Sequence, residues 1–154
     1  MEPTFVKRDA VVVAGVERTY EDPANATGFD ELWQREFEPR YGEIAPLCED
    51  KGFYGAWFGE PDGAAVYLAG AAVVDRKAVP DGFAVREIPG GRYAAFACTV
   101  ATIGPTYGRI FGEWLPQNPG VMEHERPHFE YYPPGTTAPD SPVQILVPVA
   151  PDSP

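Results

Sequence analysis

Strand-like and helix-like stretches alternate along the chain, and their order repeats. Thr4 to Tyr20 is rich in β-branched side chains around Val11, Val12 and Val13. This predicts one long strand or two short collinear ones, with Gly15 marking a bulge. Glu21-Asp22-Pro23-Ala24-Asn25 is a turn signal. Phe29, Leu32, Trp33, Glu36 and Phe37 then follow helical spacing. Thr27 is the expected N-cap, Asp30 and Glu31 suit the first turn, and Pro39 ends or kinks the helix. Trp33 and Phe37 read as core. Phe53 to Phe58 and Ala64 to Asp75 flank the turn Glu60-Pro61-Asp62-Gly63 and read as a hairpin.

Beyond the break at Val79-Pro80-Asp81-Gly82 the same order returns. Phe83 to Cys98 is strand-like, interrupted at Pro89-Gly90-Gly91. Ile103, Tyr107, Ile110, Phe111 and Trp114 share one helical face, with Pro105 near the start and Pro116 and Pro119-Gly120 at the end. His128 to Tyr132 and Val143 to Val149 complete the set as two short strands. The chain therefore reads strand–helix–strand–strand twice, over residues 4–75 and 82–149. Phe5-Val6-Lys7-Arg8-Asp9-Ala10 resembles Phe83-Ala84-Val85-Arg86-Glu87-Ile88 at the head of each half. The expected fold is α+β: duplicated modules forming one domain over 1–154, a mainly antiparallel sheet, two helices on one face, and a pseudo-two-fold axis with a ligand cleft between the halves.

Composition narrows the function. With 12 Lys and Arg against 23 Asp and Glu, the formal net charge is −11. That disfavours direct binding to nucleic acid or to anionic membranes. The start, Met1-Glu2-Pro3-Thr4, is no secretory leader, and the longest mainly apolar stretch, Ala64 to Val74, is too short to span a bilayer. Cys48 and Cys98 then read as reduced thiols of a cytoplasmic protein. The 18 Pro and 16 Gly punctuate many short elements.

The motifs of common hydrolases do not fit. His124-Glu125-Arg126-Pro127-His128 has the spacing of a zinc-protease helix, but Pro127 breaks any helix there and no third His exists. Ser141 and Ser153 lie in Pro-rich segments without the turn that a nucleophilic serine needs. Nothing specific supports pairing Cys98 with His124 or His128. Pro89-Gly90-Gly91 is not followed by the Lys-Ser/Thr of a phosphate loop. No pattern calls for a metal or cofactor.

Phe129-Glu130-Tyr131-Tyr132 is more informative. On a strand, Phe129 and Tyr131 share one face and Glu130 and Tyr132 the other. Glu130 is either an edge-strand acid facing solvent or an acid at the base of an aromatic cleft. In a cleft it can bind a cation beside aromatic faces, or act as an acid/base whose pKa burial has raised. Trp57, Tyr67, Tyr93, Phe111 and Trp114 are the candidate walls, although each alone reads first as core.

Four segments, in order, resemble the GyrI-like family, the effector-binding domains of AraC-type and MerR-type multidrug regulators and their stand-alone relatives. They are Ile88-Pro89-Gly90-Gly91-Arg92-Tyr93-Ala94-Ala95-Phe96, Trp114-Leu115-Pro116-Gln117-Asn118-Pro119-Gly120, Phe129-Glu130-Tyr131-Tyr132 and Ile145-Leu146-Val147-Pro148-Val149. The resemblance implies two strand–helix–strand–strand modules around a ligand cleft. It implies that Glu130 is the pocket glutamate that contacts cationic aromatic drugs and that Tyr67 is the pocket tyrosine. No DNA-binding segment flanks the domain, so a stand-alone small-molecule binder is expected. Two alternatives stand beside it: hydrolysis of cyclopropane-bearing electrophilic toxins with Glu130 and Tyr67 as catalytic residues, and a protein partner such as gyrase or a separate DNA-binding chain.

Overall fold

A computed structural model describes residues 2–60, 63–136 and 138–151. Pro61 and Asp62 of the expected hairpin turn, and Ser153, lie outside the described residues. Among the described residues, eight strands form one sheet: β1 (Thr4–Arg8), β2 (Val11–Tyr20), β3 (Phe53–Gly59), β4 (Ala65–Ala72), β5 (Ala84–Ile88), β6 (Gly91–Thr99), β7 (His128–Tyr132) and β8 (Pro142–Pro148). The order is β1-β6-β8-β7-β3-β4-β2-β5, with every pairing antiparallel. Outward from the central β7–β3 pair, both directions run through equivalent strands, the pseudo-two-fold arrangement expected of a duplicated α+β chain.

The stretch Thr4–Tyr20 departs from its expected form. It breaks at Asp9-Ala10, and its two pieces lie in opposite halves of the sheet: β1 beside β6, β2 between β4 and β5. Each half thus carries the other's first strand. A β-branched run signals a strand but not its neighbour, because pairing depends on distant partners. Register runs through Gly15 without a bulge, opposite Gly70 on one side and Ala84 on the other. The glycine answers close approach instead, since a Cβ there would sit 1.9 Å from the Ala69 carbonyl oxygen. The swap needs two connections to pass each other, and they touch backbone to backbone. A Cβ on Gly90 would lie 2.8 Å from the Ala10 amide nitrogen and 3.0 Å from the Arg8 carbonyl oxygen.

The first helix, α1 (29–37), begins after Gly28, whose φ of 84° is a left-handed geometry suited to glycine. Thr27 is therefore not the cap; its carbonyl instead accepts the Tyr20 hydroxyl at 2.8 Å. After one α turn, Leu32–Phe37 widens to π geometry, and Pro39 marks a change to 3₁₀ turns over Glu38–Glu43 rather than a stop. The second helix, α2 (103–117), follows a capping box between Thr99 and Thr102 and also widens to π geometry, at Ile110–Trp114. Both helices pack on one face of the sheet. Phe37 and Ile44 cover Ala14 and Ala71, while Ile110 and Trp114 cover Phe96, Ile145 and Val147. The opposite face carries its own core of Val13, Tyr54, Leu68, Ile88, Tyr93, Phe129 and Leu146. Between the helices, the floor is β7 and β3.

Candidate functional site

The period of two along β7 turns His128, Glu130 and Tyr132 towards the helices, with Phe129 packed in the core of the other face. Because β7 is an inner strand, Glu130 is not an edge acid; it is 3% exposed. Its cross-strand partner on β3 is Gly55, and one strand further Trp57 pairs with Tyr67 on β4. A Cβ on Gly55 would meet the Tyr67 hydroxyl at 2.1 Å and Glu130 Oε1 at 2.6 Å. The missing side chain is thus what lets Tyr67 reach across β3.

Three tyrosine hydroxyls donate to the carboxylate. Tyr67 and Tyr132 donate to Oε1 at 2.7 and 2.9 Å, and Tyr107, from α2, donates to Oε2 at 2.5 Å. The Trp33 indole N–H, from α1, donates to the Tyr67 hydroxyl at 3.2 Å. Among the described residues no cation is paired with Glu130. Burial pushes the carboxyl above its ordinary value, against the pull of the three hydroxyls. Burial, then the Glu130 charge, hold Tyr67 and Tyr107 well above the ordinary phenol range, so both remain donors at neutral pH. Burial also lowers His128 to about 4, which keeps its imidazole neutral.

Aromatic rings enclose this group. Trp57 lies 5.0 Å from Tyr67 and 5.5 Å from Tyr20, and Phe29 lies 4.9 Å from Tyr67. Trp33 stands edge-on to Tyr132 at 5.4 Å. On the α2 side, His128 contacts Tyr107 and Phe111 at 5.6 and 5.3 Å.

Of the residues singled out in the sequence, Glu130, Tyr67 and Trp57 come together, and Phe111, 41% exposed, stands at the rim beside His128. Tyr93 does not join them. It faces the other side of the sheet, against Phe129, with its hydroxyl on the Pro89 carbonyl. Trp114 lies beneath α2 against Phe96. Both were expected as walls, but strand parity and helix phase turn them into core. Trp33, read as core, does pack against Phe37 and Phe53, and its indole N–H also bonds Tyr67. Tyr107, Tyr132 and His128 were not among the expected walls, although Tyr132 and His128 stand two residues either side of Glu130 on its own face.

The remaining candidates stay apart. His124 and Glu125 lie in a turn and His128 on β7, so the zinc-like spacing has no helix beneath it. No cluster of His, Cys, Asp and Glu able to hold a metal occurs among the described residues. Burial pushes the Cys98 thiol up, opposite to what a nucleophile needs. No helix is long and apolar enough to cross a membrane among the described residues.

Residues 4–149 match the family model of Cass2, the integron-associated effector-binding protein. The transcriptional regulator BrlR of Pseudomonas aeruginosa is 30% identical over 154 residues, covering 97% of this chain and 56% of BrlR. The chain thus spans little more than half the length of that curated relative. The structure of SAV2435 bound to tetraphenylphosphonium superposes with a TM-score of 0.78 at 20% identity, covering 97% of this chain and 94% of that one. A Staphylococcus aureus MU50 protein described as a bacterial transcription regulation protein gives 0.73 at 22% identity, covering 98% and 99%. At these identities the structural likeness shows the fold.

Proposed function

Because the chain belongs to the Cass2 family of integron-associated effector-binding proteins, we propose that it binds amphipathic, cationic aromatic small molecules with Glu130 as counter-charge. The observation that carries this reading is a buried carboxyl held by three tyrosine hydroxyls, with no cation paired to it among the described residues. Burying a carboxylate without a counter-ion is costly, and a ligand cation removes that cost. The surrounding ring faces of Trp57, Tyr67, Trp33 and Phe111 add cation–π attraction. Tetraphenylphosphonium, bound to a neighbour of the same fold, is a cation of this class. The net charge of −11 draws cations in weakly. The relation to a transcriptional regulator and the two free cysteines support a cytoplasmic setting. Titrating a cationic dye against wild type and Glu130→Gln tests the proposal, and equal affinity in both contradicts it.

A second reading rests on the 2.7 Å contact between Tyr67 and Glu130. There Glu130 takes a proton from water as it attacks a strained ring carbon, the ring bond breaks, and a proton returns to the released carbon. Mass spectrometry for a one-water adduct of a cyclopropane-bearing toxin tests it; formation no faster than in buffer contradicts it.

A further inference from the structure

The hydrogen bonds around Glu130 have a direction. An indole N–H only donates, so the Tyr67 hydroxyl accepts from Trp33, and its own proton lies on Glu130 Oε1. Tyr132 approaches the same oxygen. Oε1 is thus committed as an acceptor, whereas Oε2 faces a single hydroxyl, that of Tyr107, at 2.5 Å. A hydroxyl with no fixed donor behind it can donate or accept, so a proton on Oε2 can be given to the Tyr107 oxygen once that hydroxyl turns its own proton away from the carboxyl.

The groups facing Glu130 are few. Tyr67 comes from β4, Tyr107 from α2, and His128 and Tyr132 from β7 itself, with Cys98 on β6 close enough to act on Tyr107 and Tyr132. Its cross-strand partners, Gly55 on β3 and Ile145 on β8, do not titrate. None of these supplies a positive charge at neutral pH.

We propose that the empty site keeps a proton between Oε2 and Tyr107 and that a bound cation exchanges for it, with Trp33 a positioning residue that fixes the Tyr67 proton on Oε1 and so eases that exchange. The exchange balances simply: neutral carboxyl plus cation gives carboxylate–cation pair plus one proton released to solvent. Burial, which raises the carboxyl, works in the same direction. The proposal rests on the cation-binding reading above and names how that site is regulated.

Isothermal titration of tetraphenylphosphonium in buffers of different ionisation enthalpy, from about pH 5 to about pH 8, counts the protons. The expected result is release of about one proton per cation at the acid end, falling as pH rises, with affinity rising in step. In Trp33→Phe the Tyr67 hydroxyl can turn and accept, which favours the neutral carboxyl. The pH of half-release should then rise, and affinity should drop several-fold near neutrality and recover at alkaline pH. Binding without proton release at any pH overturns this inference and leaves the binding proposal intact, as does a Trp33→Phe deficit that is the same at every pH.

Infrared difference spectroscopy, ligand-free wild type minus Glu130→Gln near neutral pH, decides the matter even where the cation fails to bind. A protonated-carboxyl stretch that shifts in Tyr107→Phe supports the inference, and its absence overturns it. Failure to bind the cation counts against the binding proposal alone.

Discussion

Gly55 on β3 lies directly across from Glu130 on β7, and the space where its Cβ would stand is taken by the carboxylate and the Tyr67 hydroxyl. Gly55→Ala must push that hydrogen-bonded pair apart. The substitution should cost about 1–3 kcal/mol of stability and weaken cation binding. Urea denaturation and dye titration measure both. An alanine variant as stable and as tight-binding as wild type would show that the pair relaxes without cost.

Glu130→Gln removes the charge and keeps the shape. Burial raises Glu130 in the folded protein above its ordinary value of 4.5. Between those two values the folded state holds more protons than the unfolded, so wild-type stability falls as pH rises through that window. The glutamine variant lacks this slope. Chemical denaturation at pH 4.5 and at pH 8 should show wild type losing stability relative to the variant at the higher pH; parallel curves would contradict the shift.

His128 slopes the other way. Its imidazole is lowered from 6.5 to about 4 by burial among Trp57, Tyr107 and Phe111. The stability linked to its neutral form is whole above pH 6.5 and is lost as pH falls towards 4. The loss is about 3 kcal/mol from a shift of that size. His128→Phe should flatten the acid limb of the stability profile, read by thermal melts across that range. An unchanged limb would assign the acid loss to other groups.

Gly90→Ala tests the crossing of the two interhalf connections. Its Cβ would strike the backbone of Ala10 and Arg8, which cannot turn aside as a side chain can. A loss of about 1–3 kcal/mol is expected, with cation affinity retained in the protein that remains folded. A neutral effect on the melting temperature would show that the linkers slide apart freely.

The sequence carried most of this fold because its signals are local. The alternation Phe129-Glu130-Tyr131-Tyr132 gave the β7 faces directly, and Pro89-Gly90-Gly91 gave the break between β5 and β6. It did not carry the exchange of β1 and β5 between halves, since strand pairing is set by contacts far apart in the chain. The site divided in the same way. Glu130 and Tyr67, which the structure brings into contact, stood out as candidates from an acid among aromatics and a family resemblance. Tyr93 was misplaced because one step of strand parity decides which side of the sheet it faces. Trp33 packs with the core as read, but an apolar helical position does not reveal that its indole N–H also meets Tyr67.

The central claim is that Glu130 supplies the counter-charge for a bound aromatic cation. The most direct measurement is isothermal titration of tetraphenylphosphonium and of an uncharged aromatic of similar size into wild type and Glu130→Gln, with both proteins shown folded by circular dichroism. A charge-assisted contact is worth about 1.5–3 kcal/mol, so the cation should bind the variant about ten- to a hundredfold more weakly, while the uncharged compound binds both alike. Equal cation affinity in the two folded proteins would contradict the account.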